Sequence, residues 1–179
     1  MANPVLDRLA LDHQRIDAVM TLIEAEIRHY DDDATTENLD ALAMALSYIE
    51  SYPDRAHHPV EERLFDFLEA AGSVDVSTLR AQHSTITART LQLRKDIENI
   101  LNDIVTPITL LNRHLAEYVD MQRSHMREEN EIAFPVAAAS LSDADWLKLQ
   151  EELDDLLEPS SEEETFNEVI SAFEADGST

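Results

Sequence analysis

With 38 acidic side chains against 13 basic ones in 179 residues, only two glycines and no cysteine, the chain is strongly acidic and poor in turn material. A net charge of −25 disfavours phosphate backbones and anionic lipid surfaces as partners, so no nucleic acid and no membrane are expected. The missing thiols exclude disulfides, thiolate chemistry and iron–sulfur ligation, so any metal must be held by nitrogen and oxygen.

Taken in chain order, periodicity predicts an all-α protein of five or six helices. The first runs from about Pro4 to Tyr30, with Leu6, Leu9, His13, Ile16, Met20, Ile23 and Ile27 at the 3–4 spacing of one buried face. It stops at Asp31-Asp32-Asp33, and Thr35 or Thr36 can cap the next helix. That second helix spans roughly Glu37 to Ala71, with Gly72 as stop signal. Pro53 and Pro59 remove backbone donors inside it, which predicts a kink or brief break near Pro53. Its buried stripe is Leu42, Leu46, Ile49, His57, Glu61, Leu64 and Leu68.

The third helix begins near Ser77 and ends around Asp103, turning Leu79, His83, Ile86, Leu93, Ile97 and Ile100 inward. Thr106-Pro107 starts the fourth, which continues to about Ala139. Its stripe holds Ile108, Leu111, Leu115, Tyr118, Gln122, His125, Glu129, Ile132 and Val136. Long helices joined by short links predict an antiparallel up-down-up-down four-helix bundle with one or two additional C-terminal helices. Residues 1–140 are expected to form the bundle and residues 141–179 an acidic helical extension. In the extension Ser142 caps a helix to about Leu157, and Ser161 opens a second with Phe166, Val169, Ile170 and Phe173 on one edge. From Glu151 onward there are 11 acidic and no basic side chains, a stretch suited to docking on the bundle or to a protein partner.

Each of the four stripes carries one histidine: His13, His57, His83 and His125. Two of these precede a glutamate by four residues, His57 with Glu61 and His125 with Glu129. Four residues turn a helix by about 400°, so each pair shares one face. The pattern also repeats, with 44 residues from His13 to His57 and 42 from His83 to His125. Two such hairpins facing each other form a cage of four imidazoles and two carboxylates, which suits two metals with two histidines each and both carboxylates as bridges. A lone buried histidine is usually a hydrogen-bonded core residue, and His58 with Glu62 makes a further His-x-x-x-Glu pair. His57 and Glu61 are preferred because they continue the apolar stripe, whereas His58 and Glu62 fall in line with Glu69 on a wetter side. Two buried carboxylates without cations would cost several kcal/mol each, so metal binding is the favoured reading.

HHPVEERLF and HMREENEIAFP, with the isolated His13 and His83, resemble the second- and fourth-helix motifs of the hemerythrin-like HHE cation-binding family, over roughly residues 4 to 140. The resemblance implies two non-haem iron ions joined by the two carboxylates and an oxo or hydroxo bridge. Oxygen-carrying hemerythrins have a histidine and an aspartate where this chain has Thr87 and Asn130. The set here is closer to the four-His, two-Glu centres of iron-centre-repair proteins and related bacterial members.

By its chemistry alone, imidazole with carboxylate suits Fe, Mn or Zn. An open coordination position admits O2, NO or peroxide, so a carrier, sensor or peroxide-handling protein is expected. The alternative is iron handling, or repair of damaged iron centres under oxidative or nitrosative stress. Ile16, Ile86 and Ile132 are predicted to close the cage. Tyr118 and His114 lie on the His125 face as candidate second-layer groups, Asp17 is a candidate partner of His13, and His29 is read as a surface residue. The N-terminus does not read as a signal peptide, and no stretch approaches the roughly 20 apolar residues of a membrane span, so a cytoplasmic location is expected.

Overall fold

Asn3 opens the first helix, its side-chain oxygen accepting from the backbone N–H groups of Val5 (3.0 Å) and Leu6 (3.3 Å), with Pro4 at the first helical position. In this computed structural model, residues 3–32, 38–102, 107–153 and 162–175 are described. The expectations placed on Thr35, Thr36, Asp103, Thr106, Leu157 and Ser161 lie outside them, as do the side chains of His29 and Tyr30. The helices are α1 (Pro4–Asp32), α2 (Asn38–Ser51), α3 (His58–Ala70), α4 (Ser77–Leu101), α5 (Ile108–Glu128), α6 (Phe134–Ser140), α7 (Asp143–Leu153) and α8 (Glu162–Ala175). Among the described residues there is no strand.

Two of the bundle's four rods are interrupted by single wide turns. A π-helical segment, Pro53–His57, joins α2 to α3, and another, Glu129–Ala133, joins α5 to α6. The break near Pro53 follows the sequence expectation, since Pro53 and Pro59 leave backbone carbonyls of the preceding turn without their usual partners. Gly72 ends α3 at φ +63°, with Ser73 N–H reaching back to the Leu68 carbonyl at 3.1 Å. The Asp75 carboxylate accepts from Ser77 N–H (2.9 Å) to open α4. Ser142 and Asp145 cap each other's backbone N–H groups at the start of α7.

The segments between rods are short, so consecutive rods run antiparallel side by side. α1 packs on α2 and α5, α2 on α4, and α4 on α5, which closes the square of a four-helix bundle. The core has two apolar clusters. One spans Ile16–Ile23 of α1, α2, the middle of α4 and α5. The other gathers Val5, Leu9, Leu64, Leu68, Leu79, Ala133 and Ala137 at the opposite end. Between them lies a layer of buried histidines and glutamates. The C-terminal helices each complete one cluster. α7 lies on α3 and adds Leu149 and Leu153, while α8 lies on α2 and α1 and adds Val169 and Phe173.

One predicted inward residue is corrected. Ile132 is 52 % exposed, while Ala133 beside it is fully buried. The wide turn over Glu129–Ala133 inserts an extra residue into the helical count, so the inward face passes from Glu129 to Ala133 and Phe134 rather than to Ile132. Ile16 and Ile86 are buried as expected.

These positions set a stability contrast. Phe173→Ala is expected to cost about 3–5 kcal/mol in chemical denaturation, and Ile132→Ala less than about 0.5 kcal/mol.

Candidate metal centre

Each rod brings its histidine to the same level. His13 comes from the first half of α1, His57 and His58 from the junction of the π-helical segment with α3, His83 from early α4 and His125 from the last turns of α5. Glu61 and Glu129 stand one turn after His57 and His125, and both are 0 % exposed. At the end of this wide turn two successive imidazoles, His57 and His58, are both buried on the inward side.

Glu61 Oε1 lies 3.2 Å from His13 Nε2 and 3.1 Å from His57 Nε2, while its Oε2 lies 3.3 Å from His83 Nε2. Glu129 Oε2 lies 3.3 Å from Nε2 of both His13 and His125, and its Oε1 is 3.4 Å from His83 Nε2. Despite these separations, all four carboxylate oxygens and the Nε2 atoms of His13, His83 and His125 make no hydrogen bond. They point into shared space rather than at one another. The donors fall into two sets, each with its atoms within 4.8 Å of one another: His13, His57 and Glu61, and His58, Glu61, His83 and His125. Glu61 belongs to both, and Glu129 reaches histidines of both.

The opposite ring nitrogens are all spoken for. His57 Nδ1 faces Asp12 Oδ2 (3.2 Å), His58 Nδ1 faces Asp54 Oδ1 (3.2 Å) and His83 Nδ1 faces Glu62 Oε1 (2.6 Å). His13 Nδ1 faces Asn130 Oδ1 (3.2 Å), and His125 Nδ1 faces Gln82 Oε1 (2.9 Å). Gln82 Nε2 donates to the Glu128 carboxylate, which fixes the amide so that its oxygen is the atom turned to His125. With oxygen acceptors at every Nδ1, a proton is held there and Nε2 is left as the ligand atom once its own proton is displaced. Asp12 is itself held by Arg8 Nε (2.9 Å) and Tyr52 Oη (3.1 Å).

A buried set of imidazole lone pairs around two carboxylates is a donor set for cations, with hardness suited to divalent first-row metals. Over residues 4–137 the chain matches the hemerythrin HHE cation binding domain. The chain belongs to that family. No curated protein and no solved structure matches it. Membership together with the buried His/Glu cluster makes this HHE domain a metal-binding protein.

Sequence reasoning brought His13, His57, Glu61, His83, His125 and Glu129 to one place, and the HHE domain holds them there. It set His58 and Glu62 aside as wetter. His58 is 5 % exposed and sits among the donors, and half-buried Glu62 bonds to His83. The two residues where oxygen carriers place further ligands serve as supports here. Asn130 faces His13, and Thr87 Oγ1 donates to Asp54 at 3.1 Å. Tyr118 is buried, but its hydroxyl is engaged by Thr90 (2.8 Å) and Gln122 (2.8 Å), and burial pushes its phenol above the ordinary pKa. His114 is 3.5 Å from Asp96, and Asp17 accepts from Arg123 rather than from His13. Among the described residues, no helix is long and apolar enough to cross a membrane.

The metal-free HHE domain balances its carboxylates with protons. Burial opposes charge on His13, His57 and His83. The Glu129 and Glu61 carboxylates outweigh it at His13 and His83, and Glu61 with Asp12 does so at His57. The three move from 6.5 to about 9, 10 and 10 for His13, His57 and His83. At His125 burial wins, with the charges of His83 and His58 adding to it, and the value falls to about 4. Burial works against the Glu61 carboxylate too, but the surrounding imidazoles hold it well below the usual range.

Groups raised in the fold lend stability that is complete below 6.5 and lost as pH rises through about 9 to 10. The depressed His125 removes stability as pH falls from 6.5 towards 4. Metal-free stability, followed by denaturant midpoint, is therefore expected to peak near pH 6.5 and fall more steeply on the alkaline side. Because cations displace the same protons, metal loading is expected to flatten the alkaline fall.

Proposed function

We propose that this HHE domain holds two iron ions and binds or senses O2 or NO, or handles peroxide, at an open coordination position. What supports this reading most is the pair of fully buried carboxylates whose four oxygens lack hydrogen bonds and are ringed by imidazole nitrogens. His13 and His57 would hold one ion, His83 and His125 with His58 would hold the other, and Glu61 and Glu129 would supply carboxylate oxygen to both. A bound iron pair supplies Lewis-acid and redox chemistry towards a small ligand.

The chain's own residues do the rest. Glu61 and Glu129 neutralise the cations, and the acceptors Asp12, Asp54, Glu62, Gln82 and Asn130 keep each imidazole in one tautomer and orientation. Ile16 and Ile86, one turn beyond His13 and His83, keep bulk water from the inner side. The site at His13 and His57, with fewer protein donors, would leave more room for an exogenous ligand.

Iron-loaded protein is expected to carry two ions per chain by metal analysis and to change its visible absorption on exposure to O2, NO or peroxide. A spectrum unmoved by all three would contradict the proposal. Glu61→Ala is expected to leave no tightly held ion, His58→Ala to retain one, and Asp12→Ala to weaken affinity about 10–100-fold. Rapid loss of iron to a mild chelator would instead favour the iron-handling alternative, for which the acidic C-terminal segment is a candidate docking arm.

A further inference from the structure

Two surface cavities reach the imidazole cluster from different sides. One, of about 430 Å3, lies between α1 and α5 against His13 and carries Gln14, Arg123 and Arg127, with Asp17 and Glu131 beside them. The other, of about 420 Å3, lies where the first π-helical segment meets α3 and α4. His58 and His83 form its floor, and Asp54, Glu62, Ser84 and Thr87 its walls. The first cavity thus sets two guanidinium groups against two carboxylates, with Arg123 bonded to Asp17 at 2.8 Å. The second presents two carboxylates and two hydroxyls, with no lysine or arginine in its lining.

Asp54 is the residue that needs explaining. Its side chain is only 4 % exposed. Oδ1 does all the visible structural work, facing His58 Nδ1 at 3.2 Å and accepting from Thr87 Oγ1 at 3.1 Å. Oδ2 has no hydrogen-bond partner. Leaving such an atom unsatisfied is costly, and orienting His58 requires only the other oxygen. Glu62 stands across the cavity with Oε1 on His83 Nδ1 at 2.6 Å, and Arg80 binds its other oxygen. Each carboxylate therefore touches the back of an imidazole whose front belongs to the three-histidine donor set.

We infer that this cavity is the route by which divalent cations reach the centre, with the half-exposed Glu62 carboxylate drawing the ion in from solvent and the buried Asp54 Oδ2 taking it on towards His58 and His83. The inference rests on the metal centre proposed above. A hydrated divalent ion exchanges water for carboxylate and hydroxyl oxygen readily, and nitrogen ligands follow as it loses its shell. Two carboxylates in a cleft with low-dielectric walls concentrate cations at its mouth, whereas in the other cavity the guanidinium groups offset the carboxylates beside them.

The test is the rate at which the metal-free full chain takes up Co2+, followed by stopped-flow visible absorption with equilibrium stoichiometry measured in parallel. Ser84 is exposed and outside the donor sets, so Ser84→Lys places a cation in the mouth without touching the centre. It is expected to slow uptake about tenfold or more while two ions still bind at equilibrium. Asp54→Asn, which keeps an acceptor for His58 and removes the charge, is expected to slow uptake by a similar factor. Gln14→Lys makes the same charge change at the other cavity and is expected to leave the rate as it was. Unaltered uptake in both Ser84→Lys and Asp54→Asn, or slowing in Gln14→Lys alone, overturns the route and leaves the centre standing. A wild-type chain that binds no Co2+ at equilibrium overturns the centre and the route together.

Discussion

Two carboxylates with no exposure at all, Glu61 and Glu129, sit at the middle of a helical bundle, and the rest of the molecule is arranged around that cost. Burying an uncompensated carboxylate is unfavourable by several kcal/mol, far more than a helix face recovers by packing one more aliphatic side chain. Compensation comes in layers. Imidazoles surround the carboxylates, oxygen acceptors hold the imidazoles, and Arg8 and Tyr52 hold Asp12, one of those acceptors. In the metal-free chain three of the imidazoles keep protons well above their ordinary range, so the positive charge that the site demands is supplied by protons where cations are absent.

The polar layer also divides the hydrophobic core. Apolar clusters lie on either side of it, and neither is completed by the four rods alone. α7 finishes the cluster next to α3, and α8 lays Val169 and Phe173 over α2 and α1. The acidic C-terminal stretch is thus tied to the bundle by a few buried side chains while its other face stays in water. Strong surface acidity is compatible with such a fold because the ion pairs that matter, such as Arg123 with Asp17 and Glu24, sit across helix interfaces rather than in the core.

Much of this was legible in the chain itself. Four stripes with one histidine each and two His-x-x-x-Glu pairs at matched spacing identify the bundle and six of its inward polar residues, because helix periodicity puts them on buried faces. What periodicity cannot carry is a turn that breaks it. The π-helical segments at Pro53–His57 and Glu129–Ala133 each add a residue to the count. The first brings His58 inward beside His57, and the second sends Ile132 to solvent and turns Ala133 in. Pro53 signalled a break but not its width. The supports of the imidazoles were equally hidden, since Asp12–His57, Gln82–His125 and Asn130–His13 join residues 45, 43 and 117 positions apart. Tyr118 and His114 share the His125 face, but a helix face extends over many turns, and both find partners away from the imidazoles.

The most direct measurement is the anomalous scattering of crystals of the iron-loaded chain at the iron absorption edge. Two peaks are expected beside the carboxylates of Glu61 and Glu129, one against His13 and His57 and the other against His58, His83 and His125. A single peak, or none within reach of these side chains, would contradict the two-ion centre.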